Sequence, residues 1–176
     1  MAAELDEPVV VQDYDPHWEQ WFAADAEQVR QRLRDRLLGL EHFGSTAVPG
    51  MAAKPIIDIL VAPAAWPFAA ADLDALKELG YEHLGQAGVV GREYLRRRGQ
   101  HATNLAVVQW QGPLWHDNLA LRDYLRAYPE VAAEYAATKK RAWQQGATRL
   151  LAYSDAKQAY VGGLLQEARR ALASGP

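Results

Sequence analysis

The residues with the most chemical promise lie between His42 and Val61. Gly44-Ser45-Thr46 can form a turn whose small residues let backbone N–H groups approach an anion while a hydroxyl donates to it. The same tripeptide has a purely conformational reading, because glycine and serine favour turns whatever they bind. Asp58 follows in the run Ile56-Ile57-Asp58-Ile59-Leu60-Val61, where an ionised carboxylate is costly to bury alone. A Mg²⁺ ion held against a bound phosphate would offset that cost, and so would a structural ion pair with an arginine. Lys54, between turn and run, adds positive charge beside them.

Further groups could complete an anion site. Arg92, Arg96, Arg97 and Arg98 stand together, and guanidinium matches phosphate bidentately. Alternation along a strand would turn some of them to solvent, and Arg92 and Arg97 are the expected ligand contacts. His42 directly precedes the turn, where an imidazole could touch a ligand or orient a carboxylate. Tyr153 and Lys157 are one helical turn apart and could reach one ligand together, or form an ordinary surface pair. Charged runs such as Lys139-Lys140-Arg141 are usually the wet face of a helix.

Composition excludes several other chemistries. The chain has 176 residues, 49% hydrophobic and 23% charged, with a net charge of −3 and no cysteine. Disulfides, thiolate catalysis and thiolate metal sites are therefore absent, so any metal must be held by oxygen or imidazole. The charge balance lacks the positive field that drives non-specific nucleic-acid binding, which leaves an anionic small molecule as the expected partner. No run of about 18 apolar residues suggests a membrane span, and the acidic start Met1-Ala-Ala-Glu-Leu-Asp-Glu is unlike a signal peptide, so a cytoplasmic location is expected. Nothing in the sequence speaks to the oligomeric state.

These groups must be positioned by regular elements. Residues 9–12 are a short β-branched run, and Asp15-Pro16 reads as an N-cap followed by the first helical position. Trp18, Trp21, Phe22, Val29, Leu33 and Leu37 make one apolar stripe, predicting a helix over about 17–38 that Gly39 ends. Strands are expected at 40–43, 56–61 and 81–84, a helix at 72–79, and a hairpin of 92–98 with 104–109. After Gly112-Pro113 the pattern turns helical, at about 114–127, 130–145 and 154–173. The sum is an α+β (mixed αβ) fold in one domain over 1–176, with an αβ core at about 8–112 and a helical part at about 113–173.

The segment from His42 through Gly44-Ser45-Thr46-Ala47-Val48-Pro49-Gly50 and Lys54-Pro55 to Ile59 is similar to the signature of the GrpB-like family, bacterial proteins placed in the nucleotidyltransferase superfamily. The likeness begins at Tyr14-Asp15-Pro16-His17-Trp18, returns at Gly91-Arg92-Glu93-Tyr94, and resumes at 119–126, Pro129, Tyr135, Lys139, Tyr153 and Lys157. An uninterrupted motif of that length is far more specific than a Gly-Ser pair. It implies a nucleotidyltransferase-like small mixed sheet flanked by helices, with Gly44, Ser45, Thr46 and Lys54 at the phosphates and Asp58 as catalytic carboxylate and Mg²⁺ ligand. It also brings Arg122, Asp123 and Lys139 forward as substrate contacts beside His42, Arg92, Arg97, Tyr153 and Lys157.

Active members of that superfamily hold two Mg²⁺ ions with a pair of carboxylates on one strand and a third on its neighbour, which clamps an in-line displacement. Here Ile56 and Leu60 flank Asp58 two residues away on either side, and Asn104 and Ala106 stand where the family strand usually carries histidines. The function implied is Mg²⁺-dependent transfer of a nucleotidyl group to a small acceptor. The alternative is a non-catalytic nucleotide- or metabolite-binding module, with a link to coenzyme A metabolism because related domains occur joined to dephospho-CoA kinase.

Overall fold

The computed structural model describes residues 6–174. Asp15 caps the first helix as expected, its Oδ1 accepting the His17 backbone N–H at 2.9 Å. Helix α1 (His17–Leu33) buries Trp18, Ala26, Val29 and Leu33 and stops short of residue 38. Arg34 breaks it by taking a φ of 52°, and one 3₁₀ turn (Arg34–Arg36) leads straight into β1 (Leu37–Phe43). Gly39 is therefore no helix stop. It lies within β1, where a β-carbon would overlap the rings of Trp110 and Trp115, so its role is close packing.

Strand β2 (Ile56–Pro63) follows the turn, and α2 (Ala70–Lys77) leads to the two-residue strand β3 (Glu82–His83). β4 (Arg92–Arg97) and β5 (Ala102–Val108) then form the predicted hairpin. The five-stranded sheet has the order β1-β2-β5-β4-β3, with β2 and β5 parallel and every other pairing antiparallel. Three helices finish the chain: α3 (Pro113–Ala127), α4 (Pro129–Gln144) and α5 (Leu150–Ser174). This is an α+β fold with a mixed sheet. Among the described residues no helix is long and apolar enough to cross a membrane.

Strand alternation sorts the two faces. Ile57, Ile59 and Val61 join Leu95, Leu105 and Val107 against α1 and α2. Leu60, Ala62, Ala106 and Val108 point the other way, where Trp115 of α3 covers them. The helical part has a small core of its own, in which Leu125, Tyr135 and Leu164 close over Val48 and Met51 from the turn region. The segment before α1 straps this layer to the sheet: Gln12 and Ala53 exchange backbone hydrogen bonds at 3.0 Å, and Trp143 Nε1 donates to the Val9 carbonyl at 2.8 Å.

Arg97 belongs to the α1 face, not to a ligand site. Its Nη2 donates to buried Asp25 at 2.5 Å, and the same carboxylate accepts from Thr103 and lies 3.0 Å from His101 Nε2. Because Arg97 pairs with Thr103 in the β4–β5 register, both are set on the side opposite Arg96 and Asn104.

Candidate functional site

Asp58 is carried at the middle of β2 on the face shared with Leu60. Its neighbours in register are Phe43 on β1 and Asn104 on β5. Asn104 Nδ2 donates to Asp58 Oδ1 at 2.8 Å, while Arg98 Nη2 donates to Asn104 Oδ1 at 3.1 Å and to Glu7 Oε1 at 2.5 Å. Among the described residues, the hydrogen bonds of this carboxylate thus reach an arginine through an amide and not directly. Gly44 crosses directly over it with φ 71° and ψ −170°, and a β-carbon at Gly44 would stand 2.8 Å from Asp58 Oδ2.

A cavity of about 630 Å³ opens between this sheet face and the helical layer. That is within the range of roughly 300–1,000 Å³ typical of small-molecule pockets. Its floor is Asp58, Asn104 and Ala106 with Arg92 and Tyr94 of β4, and Gly44, Ser45, Thr46 and Lys54 form one rim. Leu121, Arg122 and Leu125 of α3, Tyr135 of α4, and Tyr153 and Lys157 of α5 supply the facing wall. Residues 87–89, ahead of β4, close one side.

The positive groups here differ from ordinary surface lysines. Burial first, and then the charges of Lys54 and Asp58 acting in opposite directions, brings the Lys157 ammonium down to about 8. Its Nζ lies 5.0 Å from the Tyr153 ring centroid. Burial also lowers Lys54, against the pull of Asp58. Arg92 Nη2 donates to the carbonyls of Gln86 and Ala87 at 3.2 and 3.0 Å, while its buried Nε and the buried Tyr153 hydroxyl find no acceptor or donor among the described residues. Burial raises the phenols of Tyr135 and Tyr153, and Tyr94 is pushed up to about 12 by burial and by Asp58, so all three stay protonated.

Four expected contacts sit elsewhere. Arg97 faces α1, as described. His42 is buried behind the turn, stacked on Phe22 at 4.6 Å with its Nε2 3.0 Å from Thr46 Oγ1. Burial, reinforced by Arg126 and Arg122, brings that imidazole down to about 4, so it is a neutral packing group. Asp123 is exposed and holds Arg122 Nε at 2.7 Å from outside the cavity. Lys139 is fully buried, with its Nζ donating to the Ala52 carbonyl at 2.8 Å and lying 4.7 Å from the Tyr135 ring centroid. Arg122 itself reaches the cavity, but it also pins α3 to β1 through Glu41 at 2.8 Å and the His42 carbonyl at 3.0 Å.

A family model described as GrpB protein matches residues 8–167. The chain belongs to the GrpB family. It is 30% identical over 165 residues to the glutamate-rich protein GrpB of Alkalihalophilus pseudofirmus, covering 90% of this chain and 95% of that one. It is 32% identical over 158 residues to the UPF0157 protein YqkA of Bacillus subtilis, which is 89% of this chain but 46% of YqkA, so it spans about half the length of that relative. The crystal structure of conserved protein GrpB from Enterococcus faecalis superimposes with a TM-score of 0.82 at 33% identity, over 90% of this chain and 96% of that one.

In this GrpB-family chain the donor set does not fit the two Mg²⁺ ions of the superfamily reaction. The same-face neighbours of Asp58 on β2 are Ile56 and Leu60, and β5 offers Asn104 and Ala106. Among the described residues no three histidine, aspartate or glutamate side chains gather as a metal site. Lysines surround the single carboxylate instead. The sequence reading had overlooked Tyr94 and Tyr135 as lining residues. Tyr94 was recoverable from its place two residues after Arg92, whereas Tyr135 required knowledge of how α4 packs.

Proposed function

We propose that this GrpB-family protein is a binding module for a small, multiply charged anion, a phosphorylated metabolite or a nucleotide, held between the Gly44-Ser45-Thr46 turn and the helical layer. The observation that carries this reading is an excess of positive charge that Asp58 and Glu7 offset only at longer range. Lys54, Lys157 and Arg92 border the cavity without a carboxylate partner within ion-pair distance among the described residues, and Lys139 stands behind them; Asp58 is the one acid on the floor, and Asp155 lies exposed at the mouth. Cations desolvated in this way are costly unless an anion joins them, which favours a ligand carrying at least two negative charges.

Nucleotidyl transfer by two metals is the less supported reading, since it needs carboxylates at positions occupied here by Ile56, Leu60 and Asn104. Calorimetric titration with ATP and with inorganic tripolyphosphate, each with Mg²⁺ and with a chelator, separates the two. The expected result is binding that persists in the chelator and weakens about tenfold or more in Lys54→Met or Arg92→Met, the scale of one charge-assisted hydrogen bond. Binding that requires Mg²⁺ and Asp58, accompanied by pyrophosphate release from ATP, would reverse this conclusion.

A further inference from the structure

Among the cations that line the cavity, Lys54 and Lys157 have no hydrogen-bond or ion-pair partner among the described residues; Lys54 still feels the carboxylates of both Asp58 and Glu7, whereas Lys157 feels Asp58 against the repulsion of Lys54. Lys139 Nζ is committed to the Ala52 carbonyl and Arg92 to two loop carbonyls, whereas Lys157 Nζ has only the face of Tyr153. Other titratable groups surround the same space: Lys54 and Asp58 from the sheet side, Arg92 and Tyr94 from β4, Arg122 from α3, Tyr135 from α4 with Lys139 buried behind it, and Tyr153 and Asp155 from α5 itself. A lysine that is desolvated and crowded by other cations is the setting in which an amine loses its proton and becomes a nucleophile.

We propose that Lys157 is a reactive amine that condenses with the carbonyl carbon of an anionic ligand, an aldehyde or ketone that also bears a phosphate. This deepens the anion-binding reading above and rests on it. The uncharged amine adds to the carbonyl carbon, so a C–N bond forms as the C=O π bond opens and the oxygen takes up a proton. The carbinolamine then expels that oxygen as water while the nitrogen lone pair closes the C=N bond. Ammonium and carbonyl together give a protonated imine and one water, with no change of oxidation state. The buried hydroxyl of Tyr153, unpartnered and on the preceding turn of α5, is placed to serve a polar group formed next to Lys157.

The acidity of Lys157 agrees with this placement. At a value of about 8, half of the amine is uncharged near pH 8. An ordinary lysine is below about 1% uncharged there.

Pyridoxal 5′-phosphate is a suitable probe because it joins an aldehyde to a phosphate, and pyridoxine 5′-phosphate is its counterpart without the carbonyl. The full chain is incubated with the aldehyde, reduced with borohydride and mapped by peptide mass spectrometry, while calorimetry measures binding of the pyridoxine compound. The expected result is a reduced adduct concentrated at Lys157, about tenfold or more over Lys140, whose amine is held in an exposed ion pair with Asp13. Its rate should climb as pH rises through about 8. Lys157→Arg should lose the adduct and Lys140→Arg should keep it. If pyridoxine 5′-phosphate binds but the adduct is spread over surface lysines according to exposure, the amine proposal is wrong and the anion site stands. If neither compound occupies the cavity, both fall. The mapping on the unaltered chain needs no variant to fold.

Discussion

Two demands meet at Gly44. Its backbone angles, φ 71° and ψ −170°, belong to a region almost reserved for glycine, and the space a β-carbon would need is taken by the Asp58 carboxylate. Gly44→Ala should therefore cost about 2–4 kcal/mol, combining backbone strain with displacement of Asp58. Gly50 has a similar φ of 76° with nothing within 4 Å of its absent side chain, so Gly50→Ala should show the smaller, purely conformational loss. Urea titrations of the two variants test this, and equal losses would deny the crowding between turn and carboxylate. His42 gives a second residue-level prediction. Its imidazole is neutral in the folded chain down to about pH 4, while an unfolded histidine takes a proton near 6.5. Between those values the unfolded state binds more protons, so stability is fully present above about 6.5 and falls as pH drops, by up to about 3 kcal/mol in total. Comparing the slope of unfolding free energy against pH for the unaltered protein and for His42→Gln isolates this contribution, since the shared carboxylates cancel. Parallel slopes would contradict a neutral, buried His42.

The elements are fastened to one another by buried polar groups that sequence pattern alone does not assign. Asp25 of α1 is 1% exposed and gathers Arg97 of β4, Thr103 of β5 and His101 between them, while Trp21 stacks on His101 at 5.2 Å. Asp25→Ala would leave Arg97 without its carboxylate and should cost about 3–5 kcal/mol, as breaking buried ion pairs does. Because the cluster is on the face away from the cavity, tripolyphosphate affinity measured well below the melting temperature should stay within about twofold of the unaltered protein, the expectation for distant sites. A loss of affinity as large as that from Arg92→Met would mean that the two faces of the sheet are coupled. The contrast between Arg92 and Arg97 also marks what could be read in advance. Residues five apart on a regular strand face opposite ways, so the expectation that both would meet one ligand could not hold, and which of the two would do so depended on the helical layer packing over Asp58 and not over Ile57. The helices after Gly112 were legible to within a few residues, apart from the earlier start of α5, because their apolar spacing and bounding prolines are local signals. The end of α1 was not, because Gly39 resembles a helix stop and its real constraint comes from Trp110 and Trp115, far along the chain.

At the scale of the whole molecule the cavity exists only because two layers meet: the sheet supplies Asp58 and Arg92, the turn supplies Lys54, and the helical layer supplies Lys157, with Lys139 buried behind the wall. The turn at Gly44 and its place beside Asp58 were legible because these residues lie in one contiguous segment. The lysine cluster was not, because spacing along the sequence says nothing about three amines brought together from a loop and two helices. A net charge of −3 conceals this local excess and has a measurable consequence. Lys157 is acidified in the folded chain to about 8, and Lys54 and Lys139 are lowered in the same direction, each first by burial. Between pH 8 and the ordinary lysine value near 10.4 the unfolded chain binds more protons, so the free protein should gain stability as pH rises through that window, by at most about 1.4 kcal/mol per unit for each such lysine. Above pH 10 the buried tyrosines act in the opposite sense, because their raised values leave the unfolded chain the more deprotonated state, which bounds the useful range. A bound anion keeps Lys157 charged and removes the rise. Tripolyphosphate should therefore raise the melting temperature more at pH 7.5 than at pH 9.5, and the pH dependence of the free protein should be shallower in Lys157→Met. Thermal melts of both proteins with and without tripolyphosphate decide the matter. A ligand-induced shift that grows toward pH 9.5 would contradict charged lysines as the groups that hold the anion.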